Sequence, residues 1–238
     1  MSDGALGTGP VTLNATGPAA GGLGVYTGVT LTNPLTFTSG ILGGFGTFAP
    51  PGGVTVGTAR ILWPGNLFDS DPVGTLGFGT GLTLATGGTY RWEITKAVGS
   101  PGLNWDQLLV TGSLTITSTS AGPFVIQVAS VDPAYRHGSG GSVSSGAASP
   151  YLLPDFDNAL AYSWMIASAT GVTGFDPNAF TLDTTSFGNS LGIGSLFLSR
   201  SGDDLLLNFT PVPEPSTCAL LGTGLLILVA RGLRRRRG

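Results

Sequence analysis

Short apolar segments separated by glycine dominate the chain and constrain its fold more than any other feature. Glycine accounts for 40 of the 238 residues, and many segments follow a Gly-x-Leu-x-Leu or Gly-x-Val-x-Val pattern. Such alternation is typical of strands, and glycine between them favours tight turns. No strict period emerges, but the pattern is typical of a solenoid whose turns bury their inward residues against one another. It predicts strands in the first half at residues 25–32, 35–38, 54–62, 75–78 and 82–85.

The second half carries longer and more aromatic segments. Residues 90–95 alternate between apolar and polar side chains, so Trp92 is predicted to face the core and Arg91 the solvent. We therefore expect Trp92→Ala to destabilise the fold strongly and Arg91→Ala to do so much less. Asp176 is predicted to cap one helical turn that begins at Pro177. Further strands are predicted at residues 108–110, 113–117, 124–131, 162–166, 181–182, 195–199 and 205–209. The predicted core of this half consists of Tyr90, Trp92, Ile94, Leu114, Ile116, Phe124, Ile126, Val128, Tyr162, Trp164 and Ile166.

The charge distribution excludes nucleic acid as a partner. Five of the ten basic residues lie at the C-terminus, so residues 1–212 contain five basic and twelve acidic side chains. Nucleic-acid binding needs clustered Lys and Arg, and an acidic body lacks them. Cys218 is the only cysteine, which rules out an intrachain disulfide and a cysteine zinc site. We predict no cofactor and no metal site.

The C-terminus combines a stiff motif, an apolar run and a basic cluster in that order. The two prolines of Val212-Pro213-Glu214-Pro215 keep the motif extended. Residues 216–230 carry no charge and would form a helix of about 22 Å, which is short for a hydrocarbon core of about 30 Å. Snorkelling arginines extend the effective length, so we expect one transmembrane helix. The positive-inside rule places the basic tail in the cytoplasm. The stop-transfer residues are Arg231, Arg234, Arg235, Arg236 and Arg237.

This C-terminal segment resembles the PEP-CTERM sorting signal of Gram-negative bacteria. The resemblance rests on the run from Val212 to Thr217, on Ala219-Leu-Leu-Gly222 and on the arginines that follow. It implies that an exosortase, a membrane-embedded cysteine-type transpeptidase or protease, recognises the motif formed by Val212, Pro213, Glu214 and Pro215. The tail would then be removed and the protein delivered to the cell surface or extracellular matrix. Export also needs an N-terminal signal, and residues 1–10 lack its basic and apolar regions, so we expect the reading frame to extend upstream.

A second resemblance concerns the body of the chain. The second half is similar to the C-terminal end of autotransporter-associated β-strand repeat proteins that carry PEP-CTERM tails. The residues involved are Tyr90-Arg91-Trp92-Glu93-Ile94, Trp105-Asp106, Val110-Thr111-Gly112-Ser113-Leu114, Phe156-Asp157-Asn158, Tyr162-Ser163-Trp164, Gly174-Phe175-Asp176 and Leu205–Phe209. The resemblance implies an all-β fold, a right-handed parallel β-helix or solenoid with a β-rich C-terminal cap, followed by the C-terminal transmembrane helix. The predicted domains are solenoid turns at 1–89, the cap at 90–210 and the sorting signal at 211–238.

Candidate catalytic residues are few. His137 is the only histidine, and it lies in a glycine-rich segment without the rigid support that a catalytic triad needs. Carboxylates occur in close pairs beside Pro, Gly or Asn, where Asp commonly forms turns. No pair continues into a full calcium-binding loop, and nothing places two carboxylates on one groove as glycoside hydrolysis requires. The pairs are Asp69/Asp71, Asp155/Asp157 and Asp203/Asp204.

The four tryptophans, Trp63, Trp92, Trp105 and Trp164, and the five tyrosines either stack on sugars or pack in the core. Trp92 and Trp164 lie in the middle of strands, which favours the core. The sequence therefore predicts a non-enzymatic, exported structural or adhesive protein, with exopolysaccharide as a candidate partner. The alternative is a glycan-binding or carbohydrate-active module on the same scaffold. Exposed coplanar aromatic rings or convergent carboxylates in a groove would distinguish this alternative.

Overall fold

Sixteen strands in two sheets make up the part of the chain that the computed structural model describes, namely residues 6–15, 21–65, 72–134 and 150–212. One 3-10 turn, Pro177–Ala179, is the only helical element of these ranges, and Asp176 caps it as predicted. In chain order the strands are β1 (Val11–Asn14), β2 (Gly22–Val25), β3 (Thr30–Leu31), β4 (Leu35–Gly44), β5 (Thr47–Phe48), β6 (Val54–Val56), β7 (Arg60–Pro64), β8 (Thr75–Phe78), β9 (Gly81–Leu84), β10 (Thr89–Ile94), β11 (Gln107–Ile116), β12 (Phe124–Ser130), β13 (Tyr162–Thr173), β14 (Phe180–Ser186), β15 (Ser195–Ser201) and β16 (Asp204–Thr210).

The chain passes back and forth between the two sheets. The first sheet has the order β1-β4-β7-β10-β12-β14, with β2 also paired to β4. The second has the order β15-β16-β13-β11-β8-β5-β3, with β9 paired to β11 and β6 paired to β9. Most neighbours are parallel, because each passage adds a strand beside the one laid down a turn earlier. The pairs of β16 with β13 and β15 are antiparallel, so the second sheet ends in a hairpin.

The lengths of successive turns explain why the sequence has no strict repeat period. In the first sheet, Ile41 pairs with Ile61, which is 20 residues further along the chain. Ile61 pairs with Thr89 at a separation of 28, and Thr89 with Val125 at a separation of 36. Val125 then pairs with Thr181, 56 residues away. The number of residues between paired positions therefore varies from turn to turn, although successive strands of the sheet still pair with one another.

Inward-facing side chains of both sheets form one hydrophobic cluster. Ten of the eleven residues of the predicted core are buried, and Tyr162 is half-buried against the same cluster, which confirms the assigned faces of these strands. Trp92 is fully buried and its ring centroid lies 5.8 Å from that of Trp164. The close approach of neighbouring turns requires glycine at Gly44, where φ is +105° and a Cβ would collide with the carbonyl oxygen of Val25.

Several strand boundaries differ from the prediction because turns interrupt apolar runs. The predicted strand 25–32 is broken by a turn in which the Val29 amide donates to the Tyr26 carbonyl at 3.0 Å. The predicted strand 54–62 is broken at Ala59, whose φ is +63°. The two predicted strands at 108–110 and 113–117 form a single strand, β11, with an irregularity between Val110 and Ser113.

The predicted fold class is wrong in its last element. No helix in residues 6–15, 21–65, 72–134 or 150–212 is long and apolar enough to cross a membrane, and the sheets are the whole of the regular framework there. The apolar run at 216–230 lies outside the described residues. It has 15 residues, fewer than the roughly 20 that span a hydrocarbon core. The handedness of winding and the domain limits stay predictions, although β10 pairs with β7 across the proposed boundary at residue 89.

Candidate functional site

The chain leaves the body at the end of β16, which is also where the sequence places the sorting motif. The last strand ends at Thr210, and Pro211 and Val212 are the last described residues. The side chain of Val212, the first residue of the predicted motif, is 50% exposed. Pro213, Glu214 and Pro215 and the stop-transfer arginines lie outside the described residues. Only two residues therefore separate the end of β16 from Pro213.

A groove of about 390 Å³ lies beside this exit. It is formed by Pro211 and Val212 together with the loop before β13 and the loop between β14 and β15. We call the surface formed by Asn158, Gly192, Ile193, Pro211 and Val212 the exit face. Ile193 is 63% exposed, so the exit face presents two large apolar side chains to solvent. A second, shallower hollow shares Asn158 with this groove.

Asparagine side chains hold the two loops of the exit face together. The Leu153 amide donates to Asn189 Oδ1 at 2.8 Å, and Asn189 Nδ2 donates back to the Leu153 carbonyl at 3.0 Å. Asn158 Nδ2 donates to the Ser190 carbonyl at 3.3 Å. Gly192 turns the second loop with a φ of +58°, a conformation that favours glycine. The exit face is therefore a preformed surface.

Aromatic rings connect the exit face to the core. The Phe156 ring lies 5.1 Å from Tyr162 and 5.2 Å from Phe209, measured between ring centroids. Tyr162 stacks on Trp164 at 5.4 Å, and Trp164 contacts Trp92. Such ring pairs add stability beyond the area they bury. The loops of the exit face thus rest on a continuous aromatic layer.

Of the candidate sugar-stacking residues, the four tryptophans all lie in the interior, whereas Tyr26 is exposed. The four tryptophans are between 0% and 6% exposed. Three of them donate their indole N–H to backbone carbonyls: Trp92 to Asp106 at 2.8 Å, Trp105 to Met165 at 3.1 Å and Trp164 to Ala97 at 2.9 Å. Buried indoles need such partners. These rings stabilise the fold and offer no platform to a ligand.

The carboxylate pairs that the structure describes bind backbone amides or a neighbouring arginine. Asp155 accepts from the Ala97 and Val98 amides at 2.9 and 3.0 Å. Asp157 accepts from the Ala159 amide, and Asp203 from Arg200 at 3.2 Å. Within the described ranges, no three His, Cys, Asp or Glu side chains lie together in a way that could hold a metal ion. His137 and the pair Asp69/Asp71 lie outside those ranges.

Sequence reasoning missed a buried acidic pair on the outer face of β10. Glu93 was expected to face solvent, but both it and Asp106 are fully buried. The loop after β10 turns back over the strand, and the Asp106 amide donates to the Glu93 carbonyl at 2.9 Å. Arg91 Nε donates to Glu93 Oε1 at 2.9 Å, and its guanidinium lies 4.0 Å from the centroid of the Trp63 ring. The expectation that Arg91→Ala is mild is therefore revised. The close opposite charges of Arg91 and Glu93 were the one signal available in the sequence.

Asp106 joins two turns of the body through its carboxyl group. Its Oδ1 accepts from the Gly74 amide at 2.8 Å, and its Oδ2 accepts from the Glu93 amide at 3.0 Å. Burial, and secondarily the nearby Glu93 carboxylate, raise the pKa of Asp106 well above its ordinary value. The two amides and Arg91 act in the opposite direction but do not outweigh burial. Because backbone amides bind both of its oxygens, the Asp106 carboxyl group connects these segments of the fold.

Comparison with known proteins assigns a function to the C-terminal segment. Residues 211–237 match the model of the PEP-CTERM protein-sorting motif. No curated protein and no solved structure matches the chain. The matched region begins at Pro211, so its first two residues form part of the exit face. The chain carries a PEP-CTERM sorting motif, which indicates an exported protein that an exosortase recognises and sorts to the cell envelope or surface.

Proposed function

We propose that the β body is a non-enzymatic structural or adhesive component of the cell surface or extracellular matrix, delivered there through its PEP-CTERM motif. The observation that carries the proposal is that the aromatic and acidic side chains that could have bound or cleaved a glycan are engaged within the fold. The tryptophans are buried, and Asp106 and Asp155 accept hydrogen bonds from backbone amides. Side chains committed in this way hold the body together, and they are not aimed at a substrate.

The construction of the body suits a long-lived extracellular protein. Two sheets of mostly parallel strands close on one hydrophobic cluster, and the only cysteine, Cys218, follows the last strand in the sequence, so the strands contain no disulfide. Stability then comes from packing and backbone hydrogen bonds, which do not depend on the redox state of the surroundings. The excess of acidic side chains in residues 1–212 keeps such a body soluble in a hydrated matrix. Exopolysaccharide is the partner that we propose for its outer surface.

The alternative, a glycan-binding or carbohydrate-active module, has less support in the described residues. Sugar stacking needs exposed rings, and the tryptophans are interior. Hydrolysis needs two carboxyl groups facing each other across a groove. The exit-face groove is lined by amide, glycine and apolar residues instead.

The proposal is tested by deleting the gene in its native host and complementing it with the wild-type gene. We expect the wild-type protein to fractionate with the exopolysaccharide matrix, and the deletion to weaken cell cohesion without changing matrix glycan turnover. A protein found free in the medium, with the matrix unaltered by its loss, would contradict a structural role. Release of sugars from the matrix by purified protein would favour the alternative.

A further inference from the structure

The distance between the body and its sorting motif is too short for the two to act independently. Thr210 is the last residue of β16, and Pro213 is three residues further along the chain. An extended chain spans at most about 3.3–3.6 Å per residue, so Pro213 lies within about 11 Å of the end of the strand. Two of the three residues 211–213 are prolines, which restrict the path further. Whatever binds the motif must therefore also approach the exit face.

The exit face has the character of a contact surface. Ile193 and Val212 expose 63% and 50% of their surface beside the same groove, whereas most large apolar residues of the body are buried. The hydrogen bonds of Asn158 and Asn189 fix the supporting loops, so little ordering is needed on binding. A preformed apolar patch that continues directly into a recognised motif is well suited to a protein partner.

We infer that the exosortase that recognises residues 211–237 also contacts the exit face, and that this second contact contributes to recognition. The inference depends on sorting by an exosortase and does not depend on the role of the body in the matrix. A protein surface fits better than anionic lipid, because the body carries twelve acidic and five basic residues and would be repelled by a negative membrane surface. The body would thus contribute to recognition by the exosortase as well as being the protein that is sorted.

The first experiment replaces an exit-face residue in the chromosomal gene of the native host. Ile193→Asp places a charge in the proposed contact, and we expect conversion of precursor to mature protein to slow about tenfold, as for a central interface residue. Tyr26→Asp is the matched control, because Tyr26 is 49% exposed in a turn at the opposite end of the sheets. It should be processed at the wild-type rate. Equal rates for wild type and both variants would overturn the inference.

Inserting a spacer distinguishes loss of the second contact from misfolding and from steric hindrance by the body. Insertion of a Gly/Ser segment of about ten residues between Thr210 and Pro211 leaves both surfaces intact but lowers their effective concentration. We expect slower processing, and no additional effect of Ile193→Asp once the spacer is present. Unchanged or faster processing with the spacer would mean that the body is passive or obstructive, which contradicts the inference. Glu214→Ala without a spacer shows whether processing depends on the motif at all, and therefore distinguishes a failure of sorting from a failure of the second contact.

Cross-linking identifies the partner directly. A photoreactive amino acid at position 193 of the full chain should give an adduct that contains the exosortase, and the same group at position 26 should not. An adduct of twice the mass of the chain would assign the exit face to a second copy. The absence of any protein adduct would assign it to lipid or solvent. Either of these two results would overturn the inference.

Discussion

Replacing Asp106 by alanine should destabilise the body more than any other single carboxylate change in the described residues. The carboxyl group is fully buried and accepts hydrogen bonds from the amides of Gly74 and Glu93. Alanine leaves both donors buried without an acceptor, at about 1–3 kcal/mol each. The expected loss in the free energy of unfolding is therefore about 2–6 kcal/mol. Asp106→Asn keeps one acceptor and turns an NH2 toward the other donor, so its cost should be about half as large.

The same carboxyl group predicts how stability depends on pH. Because the pKa of Asp106 is raised in the folded protein, the native state binds a proton more tightly than the unfolded chain does. Its contribution to stability is fully present below the ordinary value of 3.8 and is lost as the pH rises through the raised pKa. The side chain of Asp106→Asn cannot titrate. Between pH 3.8 and the raised pKa, the stability of this variant should therefore change less than that of wild type.

Both the loss of stability and its pH dependence can be measured by urea unfolding of a chain ending at Thr210. The unfolding is monitored by circular dichroism at several pH values. Asp157→Asn is the control, because Asp157 is exposed and its turn to the Ala159 amide survives in asparagine. We expect the control to lie within about 0.5 kcal/mol of wild type. An Asp106→Ala protein as stable as the control would refute the assigned hydrogen bonds. An Asp106→Asn protein with the pH profile of wild type would refute the assigned titration.

Four further predictions concern packing, charge, backbone conformation and processing. Trp92→Ala should lower the free energy of unfolding by about 3–5 kcal/mol. Arg91→Ala should lower it by about 3 kcal/mol, because it leaves the Glu93 carboxylate buried without its arginine. Thermal unfolding measures both variants, and an Arg91→Ala protein as stable as wild type would mean that Glu93 reaches solvent. Gly192→Ala should cost about 1–2 kcal/mol in the same assay, since φ is +58° there, and a neutral result would place the loop in another conformation. Glu214→Ala should yield a longer, unprocessed protein by immunoblot, and normal maturation of this variant would remove Glu214 from the recognised motif.

Alternation along single strands was sufficient to predict the core, but not the surroundings of polar residues. Tyr90, Trp92 and Ile94 share a face because side chains alternate along a strand, and this is a local property. Whether the opposite face meets solvent depends on the loop after β10, which folds back over Glu93. No periodicity in residues 90–95 encodes that loop. The burial of Asp106 was missed for the same reason.

The functional site shows a similar division between local and distant information. The motif from Val212 to Pro215 is contiguous, and it could be recognised from the sequence alone. The exit face brings together Asn158, Ile193 and Val212 from three separate parts of the chain. Only the arrangement of β13, β15 and β16 makes them neighbours. The variable length of successive turns, from 20 to 56 residues in the first sheet, removes the regular spacing that would have predicted this.

Intact-mass spectrometry of the mature protein from its native host tests the central claim most directly. An exosortase substrate should end within the region of Pro213, Glu214 and Pro215, and the mass should lack the apolar run and the arginines that follow. The same measurement on an exosortase-deficient strain should give a protein that still contains the apolar run and the arginines. A wild-type mature protein that retains Gly238 in a strain with active exosortase would contradict processing at the motif.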